Sequence, residues 1–155
     1  MADRIPLALV GIGKIARDQH IPSIEGGQDF VVAVGVSRHG KVEGAENFTD
    51  FDAFLAARPD IKVVSLCTPP EVRFDMAKAA IAAGRHVLME KPPATTLGEA
   101  EALSDLAAKA GVTLFGVGVG VGVGSSASVE RSLTVRSAVA ERCFNDGSTF
   151  ARRAL

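Results

Sequence analysis

The chain has 155 residues, 47% of them hydrophobic, and a formal net charge of −1. That length supports one domain with a real core and falls short of two full ones. The near-neutral balance excludes a general field for nucleic acid or an anionic membrane, and no apolar stretch is long enough to span a bilayer.

In chain order, Ile5 to Val10 is a short apolar run suited to a buried strand, and Gly11-Ile12-Gly13-Lys14-Ile15-Ala16 follows it directly. A Gly-x-Gly-x-x-Ala turn between a strand and a helix is a phosphate-binding turn for a dinucleotide. Gly11 allows the tight turn, Gly13 lets the backbone approach a pyrophosphate, and Ala16 lets the helix pack close to the strand. The N–H groups at the helix start then face the anion. Lys14 to Ile24 is the predicted helix, with Pro22 expected to kink or end it and Gly26-Gly27 to close the segment. Phe30 to Val36 is apolar almost throughout, as a strand with both faces covered should be. At its carboxyl end, Ser37-Arg38-His39-Gly40 stands where many NAD-binding folds place an Asp or Glu for the ribose 2′-hydroxyl. A hydroxyl, a guanidinium and an imidazole suit a 2′-phosphate instead, so NADP is expected to bind at least as well as NAD.

Asn47-Phe48-Thr49 is a candidate third strand. Asp52 to Arg58 reads as a brief helix with Phe51, Phe54 and Leu55 on its core side, stopped by Pro59. Ile61 to Cys67 is the fourth strand, and Thr68-Pro69-Pro70 leads into a helix from Glu71 to Ala83. Val72, Met76, Ala79, Ala80 and Ala83 are its expected buried face, and Gly84 its stop. Cys67 ends an apolar run and reads as a buried thiol rather than a metal ligand or nucleophile. The three histidines, His20, His39 and His86, share no metal-ligand spacing, so no metal is expected.

His86 to Met89 is the fifth strand, with Glu90-Lys91-Pro92-Pro93 at its carboxyl end. Thr96 and Glu99 form a capping-box pattern for a helix running to Ala110, with Leu103, Leu106 and Ala110 toward the sheet and Gly111 as its stop. Val112 to Phe115 begins a sixth strand. This alternation predicts an α/β, Rossmann-type doubly wound parallel sheet in the order 3-2-1-4-5-6, with right-handed crossovers. Gly11 to Ile15 and Thr68-Pro69 would then line one crevice at the switch point.

The dinucleotide-binding domain is expected to cover residues 1–117. Val and Gly alternate from Gly116 to Gly124, so 118–155 is expected to be a Gly/Val linker and an irregular, loosely held tail. Val129 to Phe144 could form a helix there, and Arg152-Arg153 reads as a solvated end rather than a nucleic-acid patch. The amino terminus has no basic region before its apolar run, so a cytoplasmic, reducing location is expected.

Gly11-Ile12-Gly13, Thr68-Pro69, Ala83-Gly84-Arg85-His86-Val87 and Glu90-Lys91-Pro92, in this order and spacing, resemble the amino-terminal domain of the glucose–fructose oxidoreductase and inositol dehydrogenase family (Gfo/Idh/MocA). The resemblance covers Ile5 to about Phe115. Ile15 to His20, Ser37 to Gly40 and Ser65 to Pro70 carry a further likeness to the family's D-galactose 1-dehydrogenase branch. Many members show Asn and His where this chain has Pro70 and Arg73. The resemblance implies hydride transfer from C1 of an aldose to NAD(P)+, giving a lactone, with a sugar as the small-molecule partner. It implies Lys91 as the catalytic lysine beside the nicotinamide, where a cationic amine orients the reacting hydroxyl. Glu90 would be its packing and hydrogen-bond partner, and the Lys91–Pro92 bond would be cis. The cofactor site so implied comprises Gly11, Ile12, Gly13, Lys14, Ile15, Ser37, Arg38, His39, Cys67, Thr68, Pro69, Glu90, Lys91 and Pro92. Family members also carry a carboxy-terminal domain that supplies the sugar site and a proton-transferring histidine. The 155 residues leave no room for that domain, and no histidine follows His86. Two expectations therefore stand side by side: a sugar 1-dehydrogenase, and a non-catalytic nucleotide-binding module or truncated, inactive member. On either, the chain alone is expected to bind cofactor without turning over sugar at a useful rate. The oligomeric state is not legible.

Overall fold

Five short apolar runs and the polar segment Glu46-Asn47-Phe48 become the strands β1 (Ile5–Val10), β2 (Phe30–Val36), β3 (Glu46–Phe48), β4 (Val63–Leu66), β5 (His86–Met89) and β6 (Leu114–Gly116). They pair in parallel as one sheet, β3-β2-β1-β4-β5-β6, in the computed structural model, which describes residues 4–116. The expected linker, tail and Val129 to Phe144 helix lie outside the described residues. β1 is central: Val10 pairs with Val36 on one side and Leu66 on the other. Its last four residues, Leu7 to Val10, are all buried. That is the signature of a strand flanked and covered on every side.

Successive residues of β1 enter opposite layers, as the two-residue strand period requires. Ala8 and Val10 join the larger apolar cluster, built with Val64, Leu66 and Val87 against α2 (Phe51–Ala57), α3 (Pro70–Ala82) and α4 (Leu97–Ala110). Leu7 and Leu9 join the smaller one, with Ile12, Ala16 and Val42. Fully burying a side chain such as Leu9 contributes about 1.5–3 kcal/mol.

The helix after the glycine turn does not break at Pro22. A π-helical turn (Ala16–His20) runs straight into α1 (Ile21–Gly26), with Pro22 in its first turn. Pro22 has no N–H to donate and its ring crowds the carbonyl four residues back, and the widened turn just before it absorbs both. β3 begins one residue earlier than expected and β4 is shorter than Ile61 to Cys67. Asp50 caps α2 by accepting the Ala53 N–H at 2.8 Å. Thr96 caps α4 by accepting the Glu99 N–H at 3.2 Å, but Glu99 reaches past it to the N–H and hydroxyl of Thr95, at 2.9 and 2.6 Å.

Two helix faces differ from expectation. α3 buries Arg73, Ala77, Ala80 and Ile81, while Val72 and Ala83 are exposed. The face is rotated because a guanidinium, not an aliphatic side chain, leads it inward. α4 buries Leu103 and Ala107, leaving Leu106 and Ala110 exposed. A second inward guanidinium, Arg85, donates to the carbonyls of Pro59 at 2.6 Å and of Leu55 and Arg58 at 3.3 Å. It thereby serves carbonyls that the end of α2 leaves without helical partners. Among the described residues no helix is long and apolar enough to cross a membrane, and no cluster of His, Cys, Asp and Glu could hold a metal.

Candidate cofactor-binding site

The carboxyl ends of β1, β2 and β4 converge on Gly11. Its N–H donates to Val36 O at 2.8 Å, and the Cys67 N–H donates to Val10 O at 2.8 Å. Gly11 has φ +85°, and a Cβ there would lie 2.9 Å from the Thr68 backbone nitrogen. The left-handed backbone and the close approach of Thr68 both require glycine. Gly13 is the opposite case: its backbone is exposed, and a Cβ there would meet no protein atom within 4 Å. The open face of the turn is therefore at Gly13. Lys14 and Ile15 beside it are exposed, Lys14 pairing with Asp18, while Ala16 is wholly buried against the sheet.

The loop after β2 sits on this turn. A Cβ at Gly40 would come within 2.6 Å of both Ile12 Cβ and Ile12 O. Ser37 Oγ shapes the loop by accepting the N–H groups of Gly40 at 3.1 Å and His39 at 3.4 Å. Arg38 and His39 are left exposed at its tip.

On the other side of the switch point, the Glu90 N–H donates to Leu66 O at 3.1 Å, which fixes the end of β5 beside β4. The Lys91–Pro92 bond is cis. Lys91 is exposed, but its backbone N–H donates to Glu90 Oε2 at 3.2 Å. Glu90 Oε1 lies 2.7 Å from His20 Nε2, and His20 Nδ1 lies 3.4 Å from Ser65 Oγ. Glu90 is buried and hydrogen-bonded to both His20 and the Lys91 backbone. Arg73 is 3% exposed and donates to the carbonyls of Thr68, Glu90 and Pro92. Burial pushes its pKa down, opposed by the nearby Glu90 carboxylate. Burial also pushes the Cys67 thiol up to about 12, against a hydrogen bond from Ser65. A thiol so shifted is protonated at neutral pH and is no nucleophile. Thr68 Oγ1 is buried with no hydrogen-bond partner among the described residues.

The structure therefore brings these segments to the sheet's carboxyl edge, with Gly11 to Ile15 and Ser37 to His39 on the β1–β2 side and Cys67 to Pro69 and Glu90 to Pro92 on the β4–β5 side. The reading of the residues missed His20, Ser65 and Arg73. A signal for His20 existed: it stands four residues after Ala16, on the same helical face, and both are buried. Arg73 gave none, because an arginine in a helix ordinarily reads as solvated.

A parallel doubly wound sheet whose first strand runs through a glycine-rich turn into a helix has the architecture of a dinucleotide-binding domain. The family model for the Gfo/Idh/MocA oxidoreductases, described as "Oxidoreductase family, NAD-binding Rossmann fold", matches residues 5–119, and the chain belongs to that family. A galactose 1-dehydrogenase of Pseudomonas fluorescens is 47% identical over 97 residues, covering 62% of this chain and 32% of the relative. The crystal structure of a D-galactose-1-dehydrogenase from Rhizobium etli matches with 49% identity and a TM-score of 0.71, over 74% of this chain and 37% of that one. The WlbA dehydrogenase of Bordetella pertussis, solved with NADH and UDP-GlcNAcA, matches with 28% identity and a TM-score of 0.69, again over 74% and 37%. Another matching structure holds NADP. This chain spans about a third of the length of these relatives.

Proposed function

We propose that residues 5–116 form the cofactor half of a dehydrogenase that oxidises an aldose, D-galactose by likeness to the two galactose enzymes, at C1 to a lactone. NADP or NAD is the oxidant, NADP binding at least as well. The cofactor part is carried by the packing of Gly40 against Ile12, which joins the Ser37–Gly40 loop to the glycine turn, and the aldose by the likeness to the two galactose enzymes. The turn takes the pyrophosphate, and Arg38 takes the 2′-phosphate through charge-assisted hydrogen bonds. Cys67, Thr68 and Pro69 line the same edge, and Ile15 adds apolar contact. A nicotinamide bound there would supply the hydride acceptor. Lys91 orients the C1 hydroxyl and stabilises the negative charge that grows on its oxygen as its proton passes to water in the open crevice.

A second reading, nucleotide binding without turnover by this chain alone, is favoured by one fact: the match covers only about a third of the relatives, so the surface that holds the sugar is unassigned. Titration with NADP+ and NAD+ tests the shared part of both readings. Arg38→Ala should weaken NADP+ by roughly tenfold to a hundredfold, about 1.5–3 kcal/mol, and leave NAD+ nearly unchanged. An equal loss for both cofactors would sink the assignment of Arg38. NADPH formation with D-galactose and other aldoses, abolished in Lys91→Ala, separates the enzyme from the binding module.

A further inference from the structure

We propose that Arg73 is a positioning residue whose buried guanidinium ties the Thr68 loop to the Glu90–Pro92 loop and so sets where Lys91 stands. The inference rests on the reading of Lys91 as the site lysine. All three of its hydrogen bonds among the described residues go to backbone carbonyls, and their places in the chain carry the argument. Nη1 donates to Glu90 O and Pro92 O, the carbonyls on either side of Lys91. Nη2 donates to Thr68 O, at the end of β4 where the chain passes Gly11. One rigid fork thus fixes the backbone on both sides of Lys91 and references it to the glycine turn. Lys91's own N–H is held from the other direction by Glu90, whose carboxylate meets His20. The amine stays exposed while the backbone that carries it is pinned.

Packing alone does not call for this residue. A buried cation is unfavourable to desolvate, and an apolar side chain of like volume would ordinarily serve a core better. The planar fork is what serves two loops at once, and the compact lysine ammonium does not reproduce that geometry. The Glu90 carboxylate beside it offsets the buried charge.

The test uses the full chain as wild type, Arg73→Ala and Arg73→Lys. Amide hydrogen exchange reports the loop, and acylation of the Lys91 amine, with and without NADP+, reports its placement by peptide mass. Arg73→Ala should speed exchange at Lys91 and its neighbours by at least roughly tenfold, leave Leu9 and Val64 unchanged, and reduce NADP+ protection of Lys91. Ethylguanidinium, which refills the vacated space, should restore slow exchange and protection, a rescue that loss of ordinary packing would not show. Unchanged exchange, or exchange raised equally throughout and not rescued, overturns the proposal. Should Arg73→Ala fail to fold, Arg73→Lys gives the same reading: locally faster exchange around Lys91 supports the clamp, and wild-type exchange overturns it. If NADP+ does not protect Lys91 in the wild type, the cofactor reading fails, while exchange and its rescue still decide the clamp.

Discussion

Gly40 shows how much of this site depends on single atoms. A methyl group there would meet Ile12 Cβ and O at 2.6 Å, so either the loop or the glycine turn must move. Overpacking of this kind costs typically 1–3 kcal/mol. Gly40→Ala should destabilise the fold by that amount, which lowers the unfolding midpoint, and weaken NADP+ binding as well, because Arg38 moves with the loop. Calorimetry and titration on the same sample check both, and an unchanged NADP+ affinity would show that Arg38 does not work from this loop. Thr68 presents the reverse case. Its methyl carbon packs at Gly11, while its hydroxyl is buried without a partner among the described residues. Thr68→Val keeps the methyl and removes a polar atom that burial penalises, so without cofactor it should stabilise the fold by about 1 kcal/mol. A loss of stability would mean that the hydroxyl has a partner in solution, such as an ordered water.

At the scale of elements, the link between β5 and β6 is sensitive to acid. The Thr113 N–H donates to His86 Nδ1 at 3.0 Å, which requires an unprotonated nitrogen. Burial lowers the imidazole pKa from 6.5. Between the folded and unfolded values the unfolded chain binds more protons, so this contribution is complete above about pH 6.5 and is lost as pH falls through the folded value. His86→Asn places an oxygen where Nδ1 stands and removes the titration. Denaturant midpoints should fall less steeply toward about pH 5 in the variant than in the wild type, and parallel slopes would dismiss His86 as the source. The strands other than β3 were legible in the sequence because each is a short apolar run ended by glycine, proline or a polar cluster, whereas β3 is Glu46-Asn47-Phe48. The helix faces were less so. On α3 the inward position belongs to Arg73, whose satisfaction depends on carbonyls at Thr68, Glu90 and Pro92. On the first helix, the π-helical turn has no signature of its own beyond Pro22. The site was legible where a motif compresses it, at Gly11 to Ala16, Thr68-Pro69 and Glu90 to Pro92. The His20–Glu90 pair was not, because 70 residues separate partners that only the folded sheet brings together.

At the scale of the whole domain, the proposed cofactor would touch the ends of β1, β2, β4 and β5, elements that belong to both halves of the sheet. Gly11 to Ile15 and Ser37 to His39 lie on the β1–β2 side, and Thr68 and Lys91 on the β4–β5 side. A ligand that binds only this assembled edge stabilises the native state by mass action. At a hundred times its dissociation constant it contributes about 2.7 kcal/mol. For a domain of roughly 100 residues, 1 kcal/mol moves the unfolding midpoint by about 4–8 °C, so NADP+ should raise the midpoint by on the order of 10 °C. NAD+ at the same multiple of its own dissociation constant should do the same, because the shift depends on saturation and not on which contacts supply it. In Arg38→Ala, at the wild-type NADP+ concentration, a tenfold weaker affinity removes about 1.4 kcal/mol of that stabilisation. The NADP+ shift should then fall by roughly half while the NAD+ shift stays as it was. Differential scanning calorimetry over a cofactor series checks this. A midpoint indifferent to both cofactors would remove the dinucleotide reading altogether, whereas equal reductions with both would keep the fold's function and remove Arg38 from it.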